Sequence, residues 1–341
     1  MTAHDETVAP TTQVQVTGLT VRFQPPRLSG RPTVVAVDDV SFGIGRGRTL
    51  GIAGESGSGK STVARALMRI TDPQAGSVRV GDREITALRG RSLRQFRREM
   101  QMVFQDPYDS LNPRLTVGDS VAEALTLRGL SRPDQRSATR DLFSRVGLPS
   151  SFTSRYPHQL SGGQRQRVSI ARALAVEPRV IVCDEAVSAL DVSVRAQILN
   201  LLKDLQEQDD LTYLFISHDL STLRFIAEDV GIMYFGRMVE VGTREQVFGN
   251  PAHHYTQALI AAIPEPGAPR SRVRSRLQGE PPSHGSPPTG CPFNPRCPAA
   301  QDICRQVRPE LTTAPGGQQV ACHFPIPAST PSRPDALAET R

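Results

Sequence analysis

The stretch Gly54-Glu-Ser-Gly-Ser-Gly-Lys-Ser61 decides the fold of this chain. It fits the pattern G-x-x-x-x-G-K-[ST] between a predicted strand, residues 48–53, and a predicted helix, residues 60–70. Glycines let backbone N–H groups turn inward around an anion, and the helix adds the positive end of its dipole. We therefore predict a phosphate-binding loop. An ordinary glycine-rich turn is the alternative, which the flanking strand and helix disfavour.

Within this loop, Lys60 is predicted to bridge the β- and γ-phosphates of a nucleotide, and the Ser61 hydroxyl to coordinate Mg²⁺. Lys60 and Lys203 are the only lysines of a chain whose other basic residues are arginines. A compact ammonium suits a tight loop better than a planar guanidinium does. The predicted nucleotide contacts here are Gly54, Glu55, Ser56, Gly57, Ser58, Gly59, Lys60, Ser61 and Thr62.

Length and composition narrow the class of protein. At 341 residues the chain is long enough for one large or two modest domains. No apolar run approaches the roughly 18 residues of a membrane-spanning helix, and residues 1–13 lack the pattern of a secretory signal. We expect a cytoplasmic protein. The formal charge of +6 is spread along the chain, so the basic clusters at residues 89–98 and 270–276 indicate solvated faces rather than a nucleic-acid site.

Hydrophobic periodicity indicates an α/β fold. Residues 14–23 and 34–44 alternate between apolar and polar, which predicts an N-terminal antiparallel β layer. Helical periodicity dominates residues 116–176. Beyond it, the predicted strands 179–183 and 211–216 flank a predicted helix, which is typical of a parallel sheet.

A second chemical signal follows the strand Val180-Ile-Val-Cys, which ends in Asp184 and Glu185. Asp184 at the strand tip is predicted to hold Mg²⁺ through water, and Glu185 to polarise an attacking water. A pair of acids after a strand is often only a solvated turn. Together with the phosphate-binding loop, the catalytic interpretation is favoured.

The segment Leu160-Ser-Gly-Gly-Gln164 resembles the signature sequence of ABC ATPases. That resemblance implies a head-to-tail dimer in which Ser161, Gly162, Gly163 and Gln164 face the γ-phosphate of ATP held by the other subunit. Their position before a predicted helix suits an anion.

Other residues match further ABC motifs in the family's order. Gln105 resembles the glutamine that reaches Mg²⁺ and the water, and Asp191 ends a run similar to the loop that crosses the dimer interface. His218 resembles the switch histidine at the γ-phosphate. Phe23 is placed like the aromatic that stacks on adenine, although a core phenylalanine at a strand end fits that position equally well. The resemblance thus implies Glu185, His218 and Gln105 as catalytic residues.

A closer resemblance is to the ATPases of oligopeptide, dipeptide and nickel importers. It rests on Gln101-Met-Val-Phe-Gln-Asp-Pro-Tyr-Asp-Ser-Leu-Asn-Pro-Arg114 and on Gly290-Cys-Pro-Phe-Asn-Pro-Arg-Cys-Pro298. Such importers commonly pair two different ATPase subunits, and the run Gln164-Arg-Gln-Arg167 is similar to the second of them. The resemblance implies a heterodimer, with a homodimer as alternative, two permease subunits and an extracytoplasmic substrate-binding protein, at the cytoplasmic face of the membrane.

The full expectation is a P-loop NTPase core sheet with an N-terminal antiparallel β subdomain, an α-helical insert and a small Cys-rich C-terminal module. The predicted division is a flexible tail (1–12), an ABC ATPase domain (13–263) with a helical subdomain at about 108–177, a Pro/Arg-rich linker (264–289), the Cys-rich module (290–325) and a second flexible tail (326–341).

The C-terminal cysteines suggest a metal group. Cys183 lies in a predicted buried strand, whereas Cys291, Cys297, Cys304 and Cys322 share one short segment. In a cytosolic protein such a segment favours metal ligation over disulfides. The spacing lacks the C-x2-C pairs of zinc sites, and the importer resemblance implies a [4Fe–4S] cluster. Zinc and free thiols remain alternatives. His323 is a weaker candidate ligand, more easily explained as a bystander.

The predicted function is to bind and hydrolyse ATP for peptide import. A DNA-maintenance ATPase of the same superfamily is the alternative, but such proteins insert long heptad repeats or zinc modules between the loop and the signature, and this chain has none. A ribosome-acting ATPase would show two cassettes in tandem. Nickel chelate, glutathione and oligosaccharide stay open as cargo.

Overall fold

The computed structural model describes residues 12–24, 33–105, 110–263, 279–280, 282 and 287–327. Residues 1–11 of the predicted N-terminal tail, most of the linker, most of the second tail and the basic cluster at 270–276 lie outside these residues, whereas Thr12, predicted as the end of that tail, begins β1. The strands are β1 (Thr12–Phe23), β2 (Val34–Gly45), β3 (Thr49–Ala53), β4 (Ala75–Val80), β5 (Arg83–Glu84), β6 (Met100–Val103), β7 (Val180–Asp184), β8 (Thr212–Ile216), β9 (Asp229–Tyr234), β10 (Arg237–Thr243), β11 (Thr312–Thr313) and β12 (Gln319–Val320).

Helices alternate with these strands along much of the chain. They are α1 (Lys60–Leu67), α2 (Gly90–Glu99), α3 (Val117–Thr126), α4 (Arg132–Arg145), α5 (Gly162–Leu174), α6 (Val192–Asp209), α7 (Leu220–Ile226), α8 (Arg244–Gly249), α9 (His254–Ala261) and α10 (Asp302–Gln306). No helix in the described ranges combines the length and the apolar character needed to span a bilayer.

The first sheet is antiparallel, in the order β2-β1-β4-β5, which confirms the predicted N-terminal β layer. Alternate residues of β1, such as Val14 and Val16, are fully buried, as the period of two requires. They pack with Leu50, Ile52 and apolar residues of α1 in one core. The layer therefore covers the strand that precedes the phosphate-binding loop.

The second sheet has the order β11-β12-β10-β9-β3-β8-β7-β6. Neighbours from β9 to β6 are parallel, whereas β10, β12 and β11 join in antiparallel fashion. Ile52 of β3 and Asp184 of β7 both stand opposite Ile216 of β8. The carboxyl ends of three parallel strands thus lie level at one edge, where ligands of open α/β sheets bind.

Helix α1 is shorter than the sequence predicts, ending at Leu67 rather than at residue 70. The chain turns at Arg69, whose backbone has φ 52°. The Arg69 guanidinium donates a hydrogen bond to the Ile85 carbonyl at 2.7 Å. The side chain of Arg69 is only 1% exposed. A buried polar anchor two residues past the helix therefore overrides the helical periodicity.

The cysteine-bearing segment extends the second sheet rather than standing apart from it. Val320 and Gln319 of β12 pair with Glu240 and Val241 of β10. Phe293, which is 1% exposed, belongs to the same core as the main sheet. The predicted separate module therefore receives no support from the structure. Composition alone could not reveal that an edge strand offers this segment backbone hydrogen bonds.

Glu240 is a buried link between β10, α9 and the C-terminal segment. Its carboxylate accepts hydrogen bonds from the backbone of Ala252 at 2.8 Å and of His253 at 2.9 Å. The Gln318 amide donates to it at 3.3 Å. Burial raises the pKa of the Glu240 carboxyl, and these hydrogen bonds oppose the rise.

Glu240→Ala should lower the free energy of unfolding by about 2 kcal/mol or more, because three buried donors lose their acceptor. For a domain of this size we expect Tm to fall by roughly 4 to 8 °C, measured by calorimetry or circular dichroism. Glu245→Ala is the matched control, since that side chain is 69% exposed. Equal shifts in the two variants would contradict the role of Glu240.

Candidate functional site

Two glycines of the loop between β3 and α1 hold backbone shapes that no other residue fits. Gly54 has φ 154°, and a Cβ atom there would lie 2.2 Å from the Met233 carbonyl oxygen. Gly59 has φ 102°, and its Cβ would lie 2.3 Å from the Ala36 carbonyl oxygen. Backbone from β2 and β9 thus closes on the loop from outside, and any side chain at either position would displace it.

Lys60 places a buried ammonium in the concave side of this loop. The residue is 5% exposed, and its Nζ donates to the carbonyls of Gly54 and Glu55 at 2.8 Å each and to the Ser58 hydroxyl at 3.3 Å. Burial lowers the pKa of Lys60, and the carboxylates of Glu185, Asp184 and Glu55 oppose that shift. A desolvated cation at a helix N-terminus is a strong electrostatic site for an anion such as a phosphate.

The two predicted Mg²⁺ ligands lie side by side. The Ser61 hydroxyl donates to the Asp184 carboxylate at 2.8 Å, across 123 residues of sequence. Burial raises the pKa of Asp184, the neighbouring Glu185 raises it further, and the Ser61 hydrogen bond opposes the rise. A hydroxyl and a carboxylate oxygen in contact are the donor types that a hard divalent cation takes. The residues present therefore fit Mg²⁺.

Glu185 and His218 form the second contact pair of the site. Glu185 Oε2 and His218 Nδ1 are 3.2 Å apart, with Glu185 18% and His218 56% exposed. Glu185 has φ 50°, a left-handed backbone that a non-glycine residue adopts at a cost of about 1 kcal/mol or more. Its backbone N–H donates to the Ile216 carbonyl at 3.0 Å. The strained turn aims this carboxylate beside Asp184, at the carboxyl edge of the sheet.

Gln105 and Phe23 lie at the margins of this site. Gln105 is exposed two residues past β6, the next parallel strand after β7. Phe23 ends β1 and is 47% exposed. It pairs with Val34 of β2, and Ala36, whose carbonyl oxygen lies against Gly59, is two residues further along β2. Because Val103 of β6 pairs with Cys183 of β7, Gln105 follows its strand beside Asp184 and Glu185, and the role of each side chain stays a prediction.

The signature segment Ser161–Gln164 begins α5 with a reciprocal capping box. The Ser161 hydroxyl accepts from the Gln164 backbone at 3.3 Å, and the Gln164 side chain accepts from the Ser161 backbone at 3.0 Å. The S-x-x-Q spacing is typical of a capping box, whereas the sequence prediction treated the segment only as an anion site. Gly162 and Gly163 occupy the first turn. Asp191 likewise caps α6, accepting from the Val194 backbone at 3.4 Å.

One ion pair at the loop was not foreseen from the sequence. Arg296, from the cysteine-bearing segment, makes a two-point contact with the Glu55 carboxylate, at 2.7 and 2.9 Å. The two residues are 241 positions apart, so no local pattern could pair them. The Glu55 backbone N–H donates to the Tyr255 hydroxyl at 2.9 Å. The Glu55 carboxylate is therefore bound by the cysteine-bearing segment, and its backbone N–H by α9.

The four C-terminal cysteines, Cys291, Cys297, Cys304 and Cys322, line one small pocket. Burial raises the pKa of the Cys291, Cys297 and Cys322 thiols, that of Cys322 to about 11, and neighbouring cysteines of the group add to each rise. Cys183 lies apart, fully buried in β7. Within the described ranges, no group of three or more His, Cys, Asp or Glu residues is found that could hold a metal ion, so the predicted metal group gains no support from the structure.

Two protein-family models match the sequence. The model described as "ABC transporter" matches residues 37–188, which include the loop, α5 and the end of β7. The model described as "Oligopeptide/dipeptide transporter, C-terminal region" matches residues 239–304. The second match covers β10, α9 and three of the four pocket cysteines.

Curated relatives are similar over most of the chain. A probable peptide ABC transporter ATP-binding protein, y4tS of Sinorhizobium fredii, is 52% identical over 309 residues, covering 90% of this chain and 88% of that protein. The oligopeptide transport ATP-binding protein AppF of Bacillus subtilis is 48% identical over 85% of this chain and 90% of its own length. The di/tripeptide transport ATP-binding protein DppF of Pseudomonas aeruginosa is 46% identical, with coverages of 86% and 91%.

Solved structures share the fold. The dimeric ATP-binding cassette MJ0796, in a post-hydrolysis state bound to ADP and phosphate, superposes with a TM-score of 0.62 and 30% identity, covering 68% of this chain and 98% of that one. The cbiO1 protein of Clostridium perfringens, part of the transporter complex cbiONQ, has a TM-score of 0.62 and 26% identity, with coverages of 70% and 92%.

Proposed function

This chain belongs to the ABC-transporter ATP-binding proteins of the oligopeptide/dipeptide group, and on that basis we propose how its site hydrolyses ATP. It is the ATP-binding, ATP-hydrolysing subunit of a peptide importer, and such subunits work as dimers on a membrane permease. The residue roles, the pairing of subunits and the C-terminal metal group given below are our proposals.

The observation that carries the proposal is the contact between Ser61 and Asp184 beside the buried Lys60 ammonium. Backbone N–H groups of residues 54–61 cradle the β- and γ-phosphates, and Lys60 exchanges its loop carbonyls for phosphate oxygens. Ser61, and Asp184 through water, would hold Mg²⁺, and Gln105, two residues past β6, would reach the same centre. When bound, Mg²⁺ neutralises charge on the phosphates.

Hydrolysis needs a water that attacks the γ-phosphorus opposite the leaving ADP oxygen, and in this proposal Glu185 polarises that water. In the same proposal, His218 contacts the γ-phosphate and orients the Glu185 carboxylate, 3.2 Å away. Phe23 stacks on the adenine at the margin of the loop. These groups mainly position reactants and stabilise charge, which is the general strategy of phosphoryl transfer.

Each site is completed by a second subunit. The start of α5, with Ser161, Gly162, Gly163 and Gln164, faces the γ-phosphate of the partner's ATP, and the backbone N–H groups of Gly162 and Gly163 in its first turn would supply contacts. The dimeric form of MJ0796 supports this arrangement. Val192, 80% exposed directly after Asp191, provides an apolar point on the same surface. We propose a heterodimer with a related ATPase subunit, docked on two permease subunits at the cytoplasmic face of the membrane.

Peptides are the proposed cargo, because the relatives are named for oligopeptide and di/tripeptide transport. An extracytoplasmic binding protein would deliver them to the permeases. Nickel chelate and oligosaccharide import, and the DNA-maintenance alternative, are not favoured by these relatives.

Glu185→Gln should bind MgATP yet lose at least about 100-fold in turnover, because the base that polarises water is gone. Size-exclusion chromatography with MgATP should then show a stable ATP-containing dimer, formed with itself or with the partner ATPase. Glu207→Gln, on the exposed face of α6, is the matched control and should turn over normally. Normal hydrolysis by Glu185→Gln would remove Glu185 as base.

For the cysteine pocket we propose a [4Fe–4S] cluster held by Cys291, Cys297, Cys304 and Cys322. The proposal rests on the importer resemblance and on the one pocket that these four cysteines line together; zinc, which thiolates also bind, is the alternative. In a cluster each thiolate binds a different iron, so the sulfurs stand further apart around one cavity. The bound group would tie α10 to the segments before and after it. His323 contacts the Val307 carbonyl at 2.9 Å and is not proposed as a ligand.

Protein purified without oxygen should be brown and contain about four irons and four sulfides per chain. Cys297→Ser should lose colour and iron, whereas Cys183→Ala, at the buried cysteine of β7, should keep both. Metal analysis and absorption spectroscopy measure the outcome. A colourless protein with one zinc per chain would establish the zinc alternative, and a metal-free protein would leave the thiols free.

A further inference from the structure

Arg296 is a buried cation that crosses from the cysteine-bearing segment to the phosphate-binding loop. Its side chain is 4% exposed, and its two terminal nitrogens contact the two oxygens of Glu55 at 2.7 and 2.9 Å. It also donates to the Tyr234 hydroxyl at 3.4 Å. Such a two-point, charge-assisted contact is the strongest geometry available to an arginine and a carboxylate.

An aromatic cluster fixes this ion pair in place. Phe293 packs against Tyr234 and Tyr255, with ring centroids 5.3 and 5.4 Å apart. Tyr255 in turn accepts the Glu55 backbone N–H at 2.9 Å. Phe293 and Arg296 lie on the short loop between Cys291 and Cys297, so the same few residues contact the cysteine pocket and the nucleotide loop.

The negative charge of Glu55 disfavours polyphosphate binding at the loop, and the ion pair with Arg296 compensates that charge. The loop has to accept a polyphosphate, yet it carries a carboxylate one residue after Gly54. The Glu55 charge acts on the Lys60 ammonium, the same cation that must attract the phosphates. An unpaired carboxylate would both repel the incoming anion and compete for Lys60. Pairing with the Arg296 guanidinium, which also donates to the Tyr234 hydroxyl, compensates the Glu55 charge and holds the carboxylate on the side of the C-terminal segment.

We propose that Arg296 is a positioning residue of the ATP site, which neutralises Glu55 and holds the loop in the form that accepts polyphosphate. The C-terminal segment thereby helps to set ATP affinity, in addition to extending the sheet. The inference rests on the proposed role of residues 54–61 in binding ATP.

The test is a double-mutant cycle in the full chain, reading the Kd for MgATP by titration with a fluorescent ATP analogue. Arg296→Gln should weaken binding about tenfold or more in the wild-type loop, because it leaves Glu55 charged and unpaired. In the Glu55→Gln background, the same substitution should change Kd by less than about twofold. Arg305→Gln, whose partner Asp302 is 92% exposed, is the matched control and should leave Kd unchanged.

The dependence of Kd on salt concentration distinguishes an electrostatic role of Arg296 from a purely structural one. The ratio of the Kd of Arg296→Gln to that of Glu55→Gln/Arg296→Gln should shrink between about 0.05 and about 0.5 M KCl, because salt screens the Glu55 repulsion. An equal loss of affinity, or equal unfolding, caused by Arg296→Gln in both backgrounds would overturn the inference. Unfolding of Arg296→Gln that Glu55→Gln reverses would support it.

Lys60→Ala distinguishes a failure of the Arg296 inference from a failure of the proposed ATP site. If Lys60→Ala abolishes MgATP binding while Arg296→Gln has no effect, the site stands and the role of Arg296 is wrong. If Lys60→Ala binds MgATP like the wild type, the proposed site itself is wrong. Lys203→Ala, the substitution of the other lysine, controls for loss of positive charge.

Discussion

The parallel pairing of β3, β8 and β7 is the constraint on which the rest of this structure depends. Ile52, Ile216 and Asp184 stand level in that pairing, so everything that follows these strands meets at one edge. A shift of register by one residue would reverse the facing of every side chain in the moved strand. The close contact of Ser61 with Asp184, and of Glu185 with His218, exists because the strands cannot slide.

Several groups around that edge are in energetically unfavourable environments, which a bound polyanion and cation would stabilise. Lys60 is desolvated, Asp184 is buried beside Glu185, and Glu185 itself holds a left-handed backbone. Strain and perturbed pKa values of this kind collect where ligands bind. The C-terminal segment closes the other side, since Arg296 balances the charge that Glu55 brings into the loop.

Much of the site could be predicted because its residues act through local sequence context. Asp184 ends its strand, Lys60, Ser61 and His218 follow theirs at short range, and parallel strands bring their ends together without further information. Contacts between distant segments could not be read in this way. The pairing of Glu55 with Arg296 and the addition of β12 to β10 depend on tertiary geometry, and they join the predicted module to the ATPase sheet. The Ser161 capping box is different, because its spacing was visible and only its structural meaning was missed.

A crystal structure of the Glu185→Gln protein with MgATP tests the central claim most directly. The account predicts γ-phosphate oxygens within about 3 Å of Lys60 Nζ, with the cation between those oxygens and the Ser61 hydroxyl. It also predicts the start of a second subunit's α5 on the far side of the same phosphate. A nucleotide bound elsewhere, with Lys60 still donating to the Gly54 and Glu55 carbonyls, would contradict it.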